Sequence, residues 1–196
     1  MGKVSAMIRT ALREPTAEQL RAALSHPDAS YEVVDGQIVE SPEMSLFAHV
    51  VAQRLAEAMA KRASELRVGF VLTETLFILD ASRDLRRRPD VAFVSFARWP
   101  RDREIPIEGD CEVVPDIAVE VLCPNDLARD VSRKLGEYFR SGVGHVWVVQ
   151  PSEGEISIFD SPKHATILGL EDVLDGSGPL NGLGVGLSDL FRRTME

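Results

Sequence analysis

The run Pro115-Asp-Ile-Ala-Val-Glu-Val-Leu122 decides the fold reading. From Asp116 onward it is a near-continuous apolar strand interrupted by one carboxylate, Glu120. A strand of that kind reads as central in a sheet covered on both faces. Downstream, Pro124-Asn-Asp126 opens a predicted helix running to about Ser141, with Gly142 as its C-terminal stop. His145-Val-Trp-Val-Val149 is the next strand. Strand, helix and strand within about 34 residues predict a right-handed crossover joining parallel strands.

Upstream, Asp90-Val-Ala-Phe-Val-Ser95 reads as a strand opening after Pro89, where a missing N–H is tolerable. Arg67–Leu72 and Glu74–Leu79 are strand-like, and Asp80–Pro89 reads as a charged loop. A helix is predicted from Ser45 to Leu66, with Val50, Leu55, Ala58 and Met59 inward and Arg54, Glu57, Lys61 and Arg62 mostly outward. Tyr31–Glu40 is a hairpin signal around Asp35-Gly36. Thr16 and Gln19 mark the start of a short helix that His26-Pro27-Asp28 ends, and the first dozen residues are expected to fray. Toward the C-terminus, Glu155–Phe159 and Ala165–Leu168 read as edge strands. Gly176–Gly186 reads as a glycine-rich loop before a closing Leu187–Phe191 segment. The pattern is mixed α/β: a central sheet flanked by helices, with core strands from residues 68–95 and 116–149. Residues 1–30 are expected to be an N-terminal extension, and 31–196 one domain.

Composition narrows the function classes. The 196 residues are 44% hydrophobic, and 22 Lys+Arg against 31 Asp+Glu give a net charge of −9. That is an ordinary globular balance with no membrane-spanning run. The acid excess argues against a protein that coats nucleic acid through bulk charge. Cys111 and Cys123 are too few for a disulfide scaffold. The N-terminal residues lack an apolar leader segment, which predicts a cytoplasmic protein. No Gly-x-Ser-x-Gly elbow and no phosphate-binding Gly-x-x-x-x-Gly-Lys loop occurs, which argues against acyl-transfer hydrolases and common NTPases.

Three charged residues stand out by position. Asp90 begins a strand, Glu120 interrupts the most apolar one, and Lys134 lies on the helix after it. A carboxylate in a buried strand is costly without a compensating cation, hydrogen-bond network or metal. Two carboxylates on neighbouring strands repel unless a divalent ion lies between them, and Mg²⁺ favours one or two carboxylates with waters and a phosphate oxygen. A nearby lysine can stabilise charge developing on a phosphate. The alternatives are local: Asp90 as a turn cap, and Lys134 as a surface partner of Asp130, four residues earlier.

These residues also sit in an ordered set. Tyr31-Glu-x-x-Asp-Gly36, His49, Arg88-Pro-Asp-Val-Ala92, Pro115–Leu122, Asp130-x-x-x-Lys134, Tyr138, Gly142-Val143 and Trp147-Val-Val together resemble the Uma-type family of bacterial proteins classed as restriction endonucleases, within the PD-(D/E)XK nuclease superfamily. The resemblance spans roughly residues 31–160. It implies a restriction-endonuclease-like core, with Asp90 and Glu120 as catalytic acids holding Mg²⁺ or Mn²⁺. The superfamily lysine would stand two residues after the second acid, where this chain has Leu122, so the resemblance picks out Lys134 in its place. It also implies an accessory acid, for which Glu40, Glu43 and Glu74 are candidates and Glu40 is preferred; His49 is a structural residue or a ligand.

Residues 83–103 hold seven arginines against three acids. Arg86, Arg87, Arg88, Arg98 and Arg101 are therefore candidate contacts to a DNA backbone, or members of solvated loops. Trp99 could stack on a base or cover a sheet edge. The leading expectation is an Mg²⁺-dependent endonuclease acting on DNA, with a homodimer as a candidate assembly, since cleavage of both strands would profit from two-fold symmetry. The alternative is a catalytically degraded nuclease fold acting as a dimeric binding or regulatory module.

Overall fold

The computed structural model describes residues 14–26, 29–124 and 126–194, so the expected fraying of the first dozen residues lies outside it, as do Pro27 and Asp28. In chain order the elements are α1 (Ala17–Ala23), β1 (Tyr31–Val34), β2 (Gln37–Glu40), α2 (Leu46–Leu66), β3 (Gly69–Thr73), β4 (Phe77–Asp80), β5 (Leu85–Arg87), β6 (Val91–Ser95), β7 (Ile117–Val121), α3 (Ala128–Arg140), β8 (His145–Gln150), β9 (Glu155–Ser161), β10 (His164–Leu168), β11 (Val173–Leu174), a 3-10 turn at Gly178–Leu180, β12 (Val185–Gly186) and α4 (Leu187–Leu190).

The main sheet has the order β10-β9-β8-β7-β6-β3. β7 and β8 run parallel, from Ile117 opposite His145 to Val121 opposite Val149. The other neighbours are antiparallel, so the fold is mixed α/β. Every residue of β6 and β7 is buried. Side chains alternate along a strand, so Ile117, Val119 and Val121 pack in the layer that holds α2. Ala118 packs instead with Leu135 and Tyr138 of α3, and Glu120 shares that side.

Helix α2 starts where the Ser45 side chain accepts from Ala48 N. Its buried stripe is Ala48, Val51, Ala52, Leu55, Ala56, Met59 and Ala63, a spacing of threes and fours. Val50 and Ala58, expected inward, flank this stripe and are half-buried. The alanines let the helix approach the sheet, while burial of Leu55 or Met59 contributes roughly 1.5–3 kcal/mol each. Arg54 is not simply outward: it donates to the carbonyls of Leu190 and Arg192 at 3.0 and 2.6 Å, closing the end of α4.

A second sheet has the order β2-β1-β5-β4. Asp35 and Gly36 make its first turn with φ of +49° and +76°, the left-handed pair that a two-residue hairpin requires. The stretch expected as a charged loop, Asp80–Pro89, contains β5, whose three residues are all buried. Paired arginines hide a strand from a hydropathy reading, because each guanidinium enters already neutralised by acids. β4 therefore belongs to this second sheet and not to the core sheet.

Other expectations shift for local reasons. Helix α3 begins at Ala128, not at Pro124. The Asp126 carboxylate accepts from Cys123 N at 2.7 Å and so closes a turn instead of capping the helix. β9 is an interior strand, with β10 outside it. The glycine-rich tail carries the β11–β12 pair. Trp99 is buried edge-on to Phe70 at 6.0 Å, covering the sheet. Helix α1 has the expected Thr16–Gln19 capping box, and Ser25 beyond its end ties to Glu40. Among the described residues no helix is long and apolar enough to cross a membrane, and both cysteines are free.

Candidate active site

The β6–β7 register brings two acids together. Val91 lies opposite Val119, so one residue further out Asp90 comes opposite Glu120, and cross-strand partners project to the same face. Val121 N donates to Asp90 Oδ2 at 2.5 Å. Asp90 Oδ1 accepts from no described residue.

Helix α3 covers that face. Lys134 and Tyr138 lie one turn apart, on one side of the helix. Lys134 Nζ is 2.8 Å from Glu120 Oε2, and Tyr138 OH donates to Glu120 Oε1 at 2.5 Å. The surface pairing of Lys134 with Asp130 does not form; Asp130 meets Arg133 instead. Lys134 Nζ also lies 3.2 Å from Oε1 of Glu32, a β1 residue only 4% exposed. Glu32 Oε1 accepts from Arg88 N at 3.0 Å, and Glu32 Oε2 accepts from Arg87 Nη1 at 2.5 Å. Arg87 Nε in turn donates to Glu137 Oε2 at 2.8 Å.

Asp90, Glu120, Lys134, Tyr138, Glu32, Arg87 and Arg88 line a cavity of about 700 Å³ between the β1–β2 hairpin, the Ser41–Met44 segment and the start of α3. That size suits a small ligand or part of a larger one. Burial first, then the charge of Glu120, pushes the Asp90 carboxyl well above its ordinary range, against the pull of the Val121 N–H. Burial also raises Glu120, although Lys134 opposes it. Glu32 is held low: burial works the other way, but Lys134 and Arg87 overcome it. Lys134 is driven up despite its burial by Glu120 and Glu32, so it is a fixed cation. Two acids sharing a buried site, both raised, is the arrangement a divalent cation relieves.

A family profile described as "Putative restriction endonuclease", Uma2, matches residues 17–188. The chain belongs to the Uma2 family. Its fold matches a crystal structure described as a "putative nuclease belonging to DUF820" from Anabaena variabilis, with a TM-score of 0.73 at 16% identity, covering 90% of this chain and 98% of that one. At that identity the likeness shows a shared fold. No curated protein sequence matches.

In this Uma2 chain the accessory candidates separate. Glu74 lines the cavity, is raised by burial and acts electrostatically on Asp90. Glu40, the preferred candidate, also lines the cavity, but both its oxygens accept from Ser25, at 2.5 and 2.6 Å, which lowers its pKa. Glu43 faces His26 at 3.4 Å. His49 is exposed at the cavity wall and acts electrostatically on Glu74.

The arginines correct the sequence reading. Arg86 and Arg87 are not surface contacts for DNA: they are 2% and 1% exposed and engaged by acids of their own chain. Arg98 meets Asp116 at 3.0 Å and donates to the carbonyls of Val114, Pro115 and Gly142. Arg101 lies over the Phe96 ring at 3.9 Å and donates to Arg67 O, away from the acids. Of the five, Arg87 and Arg88 line the cavity, and Arg88 Nη1 donates to Glu74 O. Sequence reasoning missed Glu32 and Glu137. Glu32 had a faint signal, an acid inside a short strand; Glu137 had none, since an acid on an amphipathic helix normally faces water.

Proposed function

We propose that this chain is a metal-dependent endonuclease that hydrolyses phosphodiester bonds of DNA. The observation that carries the reading is the Asp90–Glu120 pair: two raised carboxylates side by side at the base of a cavity, with Lys134 beside them. The donor set fits Mg²⁺ or Mn²⁺. Among the described residues no three His, Cys, Asp or Glu side chains form a ready ligand cage, and hard cations of this kind are held by one or two carboxylates with water and phosphate completing the shell. Asp90 and Glu120 would hold the ion, which when bound supplies an activated water and neutralises phosphate charge.

The other side chains have defined tasks. Lys134 offers a permanent positive charge to the scissile phosphate. Tyr138 holds the Glu120 carboxylate in one orientation through its hydroxyl. Glu74 adds negative charge behind Asp90, which strengthens cation binding and disfavours bare polyanion. DNA contact is therefore weak without the cation and sensitive to salt.

A second reading, a degraded fold serving as a dimeric binding or regulatory module, is favoured by two observations: both Glu120 oxygens already accept from Lys134 and Tyr138, and Leu122 stands where the superfamily lysine would be. Incubation of plasmid and single-stranded DNA with the protein and Mg²⁺ or Mn²⁺ separates the two. Cleavage that disappears in Asp90→Ala and Glu120→Ala supports the nuclease; cleavage that survives in both refutes the site. No cleavage, with metal-independent partner binding, favours the module.

A further inference from the structure

We propose that Glu32 is a positioning residue for Lys134, receiving its ammonium group when a divalent cation takes Glu120. The inference deepens the metal-dependent reading and rests on it. A cation shared by Asp90 and Glu120 needs an oxygen of Glu120, and both are engaged, Oε1 by the Tyr138 hydroxyl and Oε2 by Lys134. The phenol is a neutral donor and can keep its bond beside a metal. Lys134 is a competing positive charge on that oxygen, and cation binding is favoured when it moves off.

Glu32 supplies the place to which it yields. Its Oε1 stands 3.2 Å from Lys134 Nζ, close to the 2.8 Å separating that nitrogen from Glu120. A short swing of the ammonium from one carboxylate to the other frees Glu120 without sending the charge into water or leaving it unpaired, either of which is costly at this depth. Glu32 is fixed for this purpose. Its Oε2 is held by Arg87 and its Oε1 by Arg88 N, and Arg87 is anchored by Glu137 on the same helix as Lys134. The frame joins β1, β5 and α3, so the distance between Glu32 and Lys134 is set by the fold and not by loose side chains. After the swing the ammonium still lines the same cavity as the acid pair. The second sheet is thereby part of the site, which explains why a charged residue is buried in a hairpin strand.

Calorimetric titration of the full chain with Mn²⁺ alone tests this. Glu32→Gln leaves Lys134 only Glu120 as an anionic partner, and Mn²⁺ affinity should fall about 10–100-fold, the usual range for an outer partner of a metal ligand. Lys134→Met removes the competitor, and affinity should rise. In the Lys134→Met background the Glu32→Gln change should shrink to about twofold or less, because its route of action is gone. Unchanged affinity in Glu32→Gln, an equal loss in both backgrounds, or no gain in Lys134→Met overturns the proposal. Should Glu32→Gln not fold, Glu32→Asp, which keeps a carboxylate for Arg87 and shortens the reach to Lys134, is measured in the same two backgrounds by the same criterion. Absence of Mn²⁺ binding by the wild type overturns the metal-dependent reading and this proposal together. Wild-type binding that is indifferent to Glu32 overturns this proposal alone.

Discussion

Arg86 and Arg87 are neighbours on one short strand, point to opposite sides of it, and enter two different charge clusters. Arg86 meets Asp84 at 2.8 Å and Asp110 at 2.7 Å, and both acids reach water, with side chains 32% and 15% exposed. Arg87 meets Glu32 and Glu137, which are 5% and 3% exposed, and the chain of contacts continues through Lys134 to Glu120 and on to Asp90. In the first cluster solvent screens the surplus of acid. In the second the surplus is walled in and ends at a cavity. Buried charge alone therefore does not mark a site; walled-in acid left uncompensated beside open space does.

Breaking the second cluster at its open end should have the largest effect. Glu120→Gln keeps the shape and removes the charge, and should lower metal-dependent DNA cleavage by more than about a hundredfold, beyond what removal of an outer partner usually costs. Arg86→Met should leave cleavage within a few-fold of wild type in the same assay.

The stability ranking should separate the same two clusters. Arg87→Met leaves the buried Glu137 without its cation and Glu32 with Lys134 alone, and is expected to cost about 3–5 kcal/mol in urea unfolding. Arg86→Met strands acids that water can reach, and about 1–3 kcal/mol is expected. Equal losses would mean that the clusters do not differ in burial as described.

The pH dependence sharpens the contrast. Asp90 and Glu120 are raised in the folded chain, so the native state holds protons that the unfolded chain has released. Their contribution is fully present below the ordinary carboxylate range and is lost as pH climbs through the raised values. The metal-free melting temperature should therefore decline over that climb, Mn²⁺ should offset the decline, and Arg86→Met should leave it in place. Glu32, held low, works in the opposite sense, and its contribution fades as the solution is acidified. The smallest effect is expected from Glu40→Gln: its bonds to Ser25 lie in the open, and neither Mn²⁺ affinity nor cleavage should change.

Much of this arrangement was legible in the sequence, for identifiable reasons. The Asp116–Leu122 run showed its central place because apolar residues surround Glu120 on both sides, and the strand–helix–strand spacing carried Lys134 onto the covering helix. The hairpin was legible in Asp35-Gly36. What escaped was charge that folds inward. Arg86 and Arg87 look like surface residues until Asp84, Asp110, Glu32 and Glu137 are brought to them from up to 55 residues away, and no local pattern encodes such pairing. For the same reason no local pattern shows the electrostatic effect of Glu74 on Asp90, which depends on how the two sheets meet.

The most direct test takes one variant through two assays. Asp90→Asn retains an acceptor for Val121 N and removes the repulsion with Glu120. Without metal near neutral pH it should melt above wild type, each ~1 kcal/mol appearing as about 2–4 °C, while cleavage of DNA with Mn²⁺ should disappear. A variant that melts no higher and still cleaves would contradict the assignment of Asp90 and Glu120 as the acid pair of a metal-dependent nuclease.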